Sequence, residues 1–309
     1  MSNPSSFAEA AQTNQSYPDL AQSDLLPGDF GLTLGRSQIS KLIAWAGDSL
    51  YSHAFIVFDQ NQLIEAAPGG VRLVQIAQRM REPSLLLFDV YRPSNASGES
   101  FSAQEIAAIQ AKAREYIGRG YPLNELLQLG LMCALRNKTP NSDAMRWILR
   151  IAMDALIHDD PKQMVCSELI FRVLREANVQ PRAALEPAII NPVRSHAAMP
   201  PIDLAALIRE IEAMFPKAGV RAQVELSHFD LSQNPAAYAA FSNKTAPSAA
   251  ELAKMATTIR AKYAQPEINA GVFIVPNPNP KTVLPADLER SPSARFLARM
   301  RLSRDCKDA

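Results

Sequence analysis

Three cysteines in 309 residues, Cys133, Cys166 and Cys306, are too few and too scattered for a disulfide framework. No CxxC spacing occurs, which removes the usual structural zinc site. An excess of one charge is missing too. Lys and Arg number 32 against 31 Asp and Glu, a net charge of +1, so nothing favours nucleic acid or a strongly charged membrane patch as partner. The local basic clusters Arg79-Met80-Arg81 and 295–304 read as solvated faces. No apolar run reaches the roughly 18 residues a membrane span requires, and the nearest, 126–135, is too short. The first 24 residues lack the basic and apolar regions of a secretory signal, and their Ser, Asn, Gln and Pro content predicts a disordered tail. The expectation is a soluble protein made in the cytoplasm without a transmembrane segment, with specialised export left open. No internal repeat is visible.

What is present describes a globular protein: 47% hydrophobic and 20% charged residues, in a length that suits one large domain or two small ones. Folding is expected to begin near Leu25. After the turn Leu26-Pro27-Gly28-Asp29, residues 30–34 alternate as a short strand. Ile39, Leu42, Ile43 and Ala46 mark one face of a helix that ends at Gly47-Asp48. Strands are predicted at 71–74 and 85–91. Ser102-Ala103-Gln104-Glu105 opens a helix with Ile106, Ile109, Ala113 and Ile117 on one face, stopped by Gly118 to Pro122. Two further helices are predicted at 123–135 and 144–157, the second with Met residues as core filler. Residues 197–270 read as a helical insertion or subdomain. Strand-like 271–275, a proline-rich linker and a final basic helix follow.

Residues 51–70, YSHAFIVFDQNQLIEAAPGG, form the centre of the chain. His53 opens the β-branched and aromatic run His-Ala-Phe-Ile-Val-Phe, Asp59 to Gln62 is turn material, and Leu63 to Ala67 is a second strand. An apolar hairpin has little reason to carry a His on one strand and a Glu on the other unless something pairs them. Their relative placement depends on register. A strict four-residue loop sets Glu65 opposite Ile56 and turns it away from His53. A five-residue loop or a bulge sets it opposite Phe55, as a diagonal same-face neighbour of His53 that can fix the imidazole tautomer.

A nucleophile is available further along. Leu169, Ile170, Val173, Leu174 and Ala177 repeat at helical spacing, so Cys166 falls in the first turn of a buried helix. A helix N-terminus and a nearby imidazolium both favour the thiolate, and the first-turn N–H groups suit an oxyanion hole. The plainer alternative is that Cys166 is a small buried hydrophobe. His158 and His228 in polar loops and His196 ahead of the insertion read as surface residues, Cys133 as core and Cys306 as an exposed bystander.

Five short segments in order carry a resemblance: Pro27-Gly28-Asp29, Ser52-His53-Ala54, Leu63-Ile64-Glu65-Ala66, Cys166-Ser167-Glu168-Leu169-Ile170, and Leu284-Pro285-Ala286-Asp287-Leu288 with Ser291-Pro292. Together they resemble the permuted papain-like cysteine amidases of the YiiX type, within the NlpC-like superfamily. The order is that of a circular permutation, with His before Cys. The resemblance spans about 25–191 and resumes near 271. It implies an α+β fold, a circularly permuted papain-like (NlpC-like) arrangement with a small antiparallel sheet packed on helices. It implies Cys166 as nucleophile, His53 as general base and then acid, Glu65 as the orienting third member, and Tyr121 as an aromatic lining the substrate groove. It further implies acyl transfer through a thioester without metal or cofactor.

The resulting organisation is a disordered tail at 1–24, a catalytic domain at 25–196, the helical insertion at 197–270, and a return strand, linker and helix at 271–309 that complete the domain. Two features depart from the family pattern. Many relatives enter the cell envelope, whereas no signal peptide is seen here. The insertion is also long, and it suits a lid or partner-binding surface. The leading expectation is a cysteine hydrolase, an amidase or peptidase acting on a peptidoglycan-type peptide. One alternative is a lipid-ester hydrolase or acyltransferase of the lecithin:retinol-acyltransferase-like kind, with an acyl groove shaped by the helices at 123–135 and 144–157. The other is a non-catalytic binding module, against which the intact set of His53, Glu65 and Cys166 argues.

Overall fold

Phe30, Leu32 and Leu34 alternate with Gly31 and Thr33, and the segment forms strand β1, Phe30–Gly35. It is read here from a computed structural model that describes residues 20–95, 97–121, 162–177, 185–191, 203, 206, 209, 210, 213, 273–275 and 278–302. The helices expected at 123–135 and 144–157, most of the expected insertion and tail, and His158, His196, His228, Cys133 and Cys306 lie outside the described residues.

β1 pairs antiparallel with β2, His53–Val57, on one side and with β5, Leu85–Pro93, on the other. Strands β3, Gln62–Ala67, and β4, Gly70–Gln75, continue the sheet beyond β2. The C-terminal strand β8, Ala294–Arg299, closes it beyond β5, giving the order β4-β3-β2-β1-β5-β8. A separate short pair joins β6, Ile190–Asn191, to β7, Phe273–Ile274. The fold is α+β with a six-stranded antiparallel sheet.

Both faces of this sheet are covered, which explains why β2 and β5 are apolar almost throughout instead of alternating. On one face Phe30, Leu32, Ala54, Ile56 and Ile64 pack with helix α3, Ala103–Tyr116, and helix α4, Cys166–Glu176. On the other, Phe55, Val57, Leu63, Phe88 and Val90 pack with Leu25, Ile76, Met300 and Leu302. Ile76 opens the short helix α2, Ile76–Met80. The Phe55 ring meets Phe88 edge-on at 4.8 Å and lies over Gly31, where a Cβ would fall 2.1 Å from a ring carbon. Gly31→Ala is therefore expected to cost roughly 1–3 kcal/mol by overpacking, read as a lower urea midpoint at unchanged slope. An unchanged midpoint would mean that the ring has room to move aside.

Helix α1, Gln38–Gly47, starts where expected, with Ser37 accepting from the Ser40 N–H. Its buried stripe is displaced from the expected one. Ile39 is buried, but Leu42 and Ile43 are only partly so, and Ala44 to Gly47 are buried together. The cause is helix α5, Pro285–Glu289, whose Ala286 packs against Gly47, while Arg290 donates to the Gly47 and Asp48 carbonyls. The α1 N-terminus receives both carboxylate oxygens of Glu210, from the expected insertion, at 2.8 and 3.1 Å. Ser102 and Glu105 form the expected capping box of α3. Its inward face ends on Tyr116, however, and Ile117 lies past the helix and is exposed.

The expected final basic helix is a strand. Ala294–Arg299 pairs with β5, and Arg299 forms a two-pronged contact with buried Asp89 at 2.7 and 2.8 Å. Ala, Leu, Met and Arg favour helix locally. An open sheet edge and a buried carboxylate override that preference.

Candidate active site

Helix α4 begins at Cys166, after extended Val165, which has no side-chain group to cap the first turn; Glu168 at the third position accepts from the Val165 N–H at 3.2 Å. Leu169, Ile170, Val173 and Leu174 drive the helix into the core, and Cys166, with 6% of its surface exposed, goes in with them. The approach to this helix hangs from the sheet. Val71 on β4 exchanges hydrogen bonds with 118–119, each of 2.8 Å, and Gly120 exchanges two with Lys162 and Met164. Residues 118–120 thus form a spacer between the edge strand and the segment that delivers Cys166. Gly70 permits this: it has φ 107°, and a Cβ there would sit 2.5 Å from the Arg119 carbonyl oxygen.

The other half of the site is the hairpin. Phe55 pairs with Glu65 and Val57 with Leu63, so residues 58–62 form a five-residue connection. Asp59 sets its length, its Oδ1 accepting from the Asn61 and Gln62 N–H groups at 2.8 Å each. This is the register that turns Glu65 toward His53, and His53 Nε2 lies 2.9 Å from Glu65 Oε2. Nδ1 is then the ring nitrogen left for sulfur, and His53 and Cys166 are near enough that each shifts the ionisation of the other. Three side chains separated by 12 and 101 positions in sequence meet as thiol, imidazole and carboxylate (65 − 53 and 166 − 65).

Their charges follow from their surroundings. Burial pushes the Cys166 thiol up, but the His53 charge, its hydrogen bond and the N–H groups of Ala54 and Ser167 outweigh this and hold it below the usual thiol range. Burial pulls His53 down, and the sulfur charge with hydrogen bonds from Cys166 and Glu65 reverses this, raising it to about 9. Burial would raise Glu65, yet the hydrogen bond and charge of His53 and the charge of Arg79 hold it well below the usual carboxylate range. All three shifts run in the same sense, toward thiolate, imidazolium and carboxylate.

No protein-family model and no curated protein matches the chain. Among solved structures it is similar to the crystal structure of metalloprotein yiiX from Escherichia coli O157:H7, DUF1105. The match has 17% identity and a TM-score of 0.34, and covers 62% of this chain and 82% of that one. At that distance the likeness carries no weight for the chemistry, which rests on the site's own geometry.

Two residues of the site have no counterpart in the sequence-based set. Arg72 on β4 lies opposite Glu65 and grips Oε1 with Nε at 3.1 Å and Nη2 at 2.8 Å. Arg79 on α2 brings Nη2 to 3.7 Å from Glu65 Oε2, while Nη1 binds Glu82 at 2.5 Å. Arg72 was findable. The turn Pro68-Gly69, with Gly69 at φ 98°, sets Ala67 opposite Gly70, and counting back sets Glu65 opposite Arg72. Arg79 carries no comparable signal in the sequence.

Behind Cys166, Ser167 Oγ donates to the Val283 carbonyl at 2.6 Å, and buried Lys281 pairs with fully buried Glu168 at 3.0 Å. Arg172 binds the other Glu168 oxygen at 2.7 Å. Tyr121 is partly buried against the main core, directly after the Gly120–Gln163 bridge. Among the described residues no group of three or more His, Cys, Asp or Glu is placed to hold a metal ion. None of the described helices is long and apolar enough to cross a membrane.

Proposed function

We propose that the chain is a cysteine hydrolase of the permuted papain-like kind, acting by acyl transfer through a thioester. The observation that carries this reading is the His53 ring held between the Cys166 sulfur and the Glu65 carboxylate. A thiolate is the reactive form of cysteine, and here it is supported by an imidazolium, two backbone N–H groups and a helix N-terminus. Cys166 Sγ attacks the substrate carbonyl, and His53 gives its Nδ1 proton to the leaving amine. The neutral imidazole then takes a proton from the water that cleaves the thioester. Glu65 holds the ring in one orientation throughout. Tyr121, close in sequence to the segment leading into Cys166, is assigned to the substrate groove. The resemblance set out above supplies the substrate class: an amide in a peptidoglycan-type peptide.

The test is to incubate the wild-type chain with purified peptidoglycan and, separately, with phospholipid vesicles, using Cys166→Ala as blank, and to analyse products by mass spectrometry. Peptide fragments released only by wild type are expected. Fatty acid or lysolipid released only by wild type would move the assignment to lipid esters, and no Cys166-dependent product would favour the binding module. The pH profile has a definite sign. His53 is raised, so the imidazolium that protonates the leaving group persists up to about 9 and the rate declines as pH rises through that value. The acid limb follows the thiol and lies below the usual thiol range.

A further inference from the structure

Glu65 is fully buried, and four donors converge on its two oxygens. Arg72 occupies Oε1 with two hydrogen bonds, while His53 and Arg79 approach Oε2 at 2.9 and 3.7 Å. A carboxylate whose task is only to orient an imidazole needs one of these contacts. We propose that Arg72 and Arg79 are positioning residues of the site: they hold Glu65 in place and offset its charge, so that the charge on the Cys166 sulfur decides whether His53 carries a proton. This rests on the reading of Cys166, His53 and Glu65 as the hydrolytic set.

The inference follows from the charges around His53. The groups facing it are Cys166 from α4, Glu65 from β3, Arg72 from β4 and Arg79 from α2, with Glu82, just past α2, tied to Arg79. Arg72 and Arg79 together balance Glu65 and Glu82. The thiolate is the remaining anion, and it is the uncompensated partner of the imidazolium. Arg79 approaches the same carboxylate oxygen as His53, so its charge opposes protonation of the ring, and its Nε is buried without a hydrogen-bond partner among the described residues.

This arrangement matters when the sulfur loses its charge. In acylation the Sγ lone pair forms the bond to the carbonyl carbon. The C–N bond then breaks, and the leaving amine departs with the imidazolium proton. The products are a neutral thioester and a neutral imidazole. Without the arginines, the buried Glu65 charge would draw a proton back onto His53 and block it as a base. With them, Glu65 stays paired after the imidazole gives up its proton, and the ring stays neutral. Its free lone pair can then accept the proton of the water that attacks the thioester. The switch from acid to base is thus set by the acylation itself.

The test is a titration of the imidazole signals of isotope-labelled full-length protein by NMR. The His53 resonance is identified among the four His by its loss in His53→Gln. Spectra are taken before and after iodoacetamide converts the Cys166 thiolate to a neutral thioether with loss of iodide. Before alkylation the His53 midpoint is expected at about 9. After it, the midpoint falls by about 2 pH units. In alkylated Arg79→Gln and Arg72→Gln the midpoint lies about one pH unit above alkylated wild type, and Arg79→Lys returns it to the wild-type value. Glu82→Gln, at a partly exposed side chain where folding is at little risk, shifts the midpoint the opposite way because Arg79 loses its other partner. An alkylated midpoint unmoved in the arginine and Glu82 variants overturns the arginine assignment alone. A midpoint unmoved by alkylation overturns the thiolate–imidazolium pair on which the hydrolase reading stands.

Discussion

His53→Ala is expected to lower kcat/KM by roughly 10³–10⁴-fold, the scale on which loss of one member of a nucleophile–base–orienter set is felt. Both halves of the chemistry lose their proton carrier. Cys166 keeps its helix N-terminus and the N–H groups of Ala54 and Ser167, but it loses the charge and hydrogen bond of the imidazole that outweigh its burial. Its ionisation moves up toward, and through burial beyond, the ordinary thiol range. The direct measurement is the rate at which iodoacetamide labels Cys166 at pH 6, followed by mass spectrometry of the Cys166 peptide. Wild type is expected to react well above the rate of a model thiol at that pH, and His53→Ala at or below it. Equal rates in the two proteins would mean that the imidazole does not hold the thiolate.

The second large effect is on stability. Glu65→Leu is expected to destabilise the chain by about 3 kcal/mol, the lower end of the range for breaking a buried ion pair. Arg72 is 52% exposed and can turn to water, which limits the cost. Arg79, only 14% exposed, keeps Glu82 but loses its fully buried neighbour, and His53 loses its acceptor. A lower urea midpoint at unchanged slope is the expected result. Stability equal to wild type would mean that the carboxylate is dispensable to the hairpin and that its burial serves only the ring it orients.

Much of this was legible in the sequence because it is written in short-range patterns. Alternation marked β1, the β-branched and aromatic run marked β2, and Ser102 with Glu105 marked the start of α3. Cys166 was readable as a first-turn residue because Leu169, Ile170, Val173 and Leu174 keep helical period behind it. The hairpin register was legible only as a choice between two loop lengths. The deciding contact, Asp59 Oδ1 on two N–H groups, is a turn geometry that many Asp-containing loops do not adopt. What failed was long-range. Residues 294–299 read as helix because nothing nearby announces that Asp89, some two hundred positions earlier, waits for Arg299. The pairing of Glu168 with Lys281 and the approach of Arg79 to Glu65 are equally invisible to local propensity.

The contacts of Ser167 with Val283 and of Glu168 with Lys281 also fix a sequence of events during synthesis. A chain leaves the ribosome N-terminus first, so His53, Glu65 and Cys166 all emerge before the residues that brace the first turn of α4. Until residues 281–283 arrive, Glu168 has Arg172 but lacks the Lys281 ammonium, and the Ser167 hydroxyl lacks its carbonyl. The surroundings of the Cys166 end of α4 are thus completed only once residues 281–283 have joined, long after the cysteine itself has emerged.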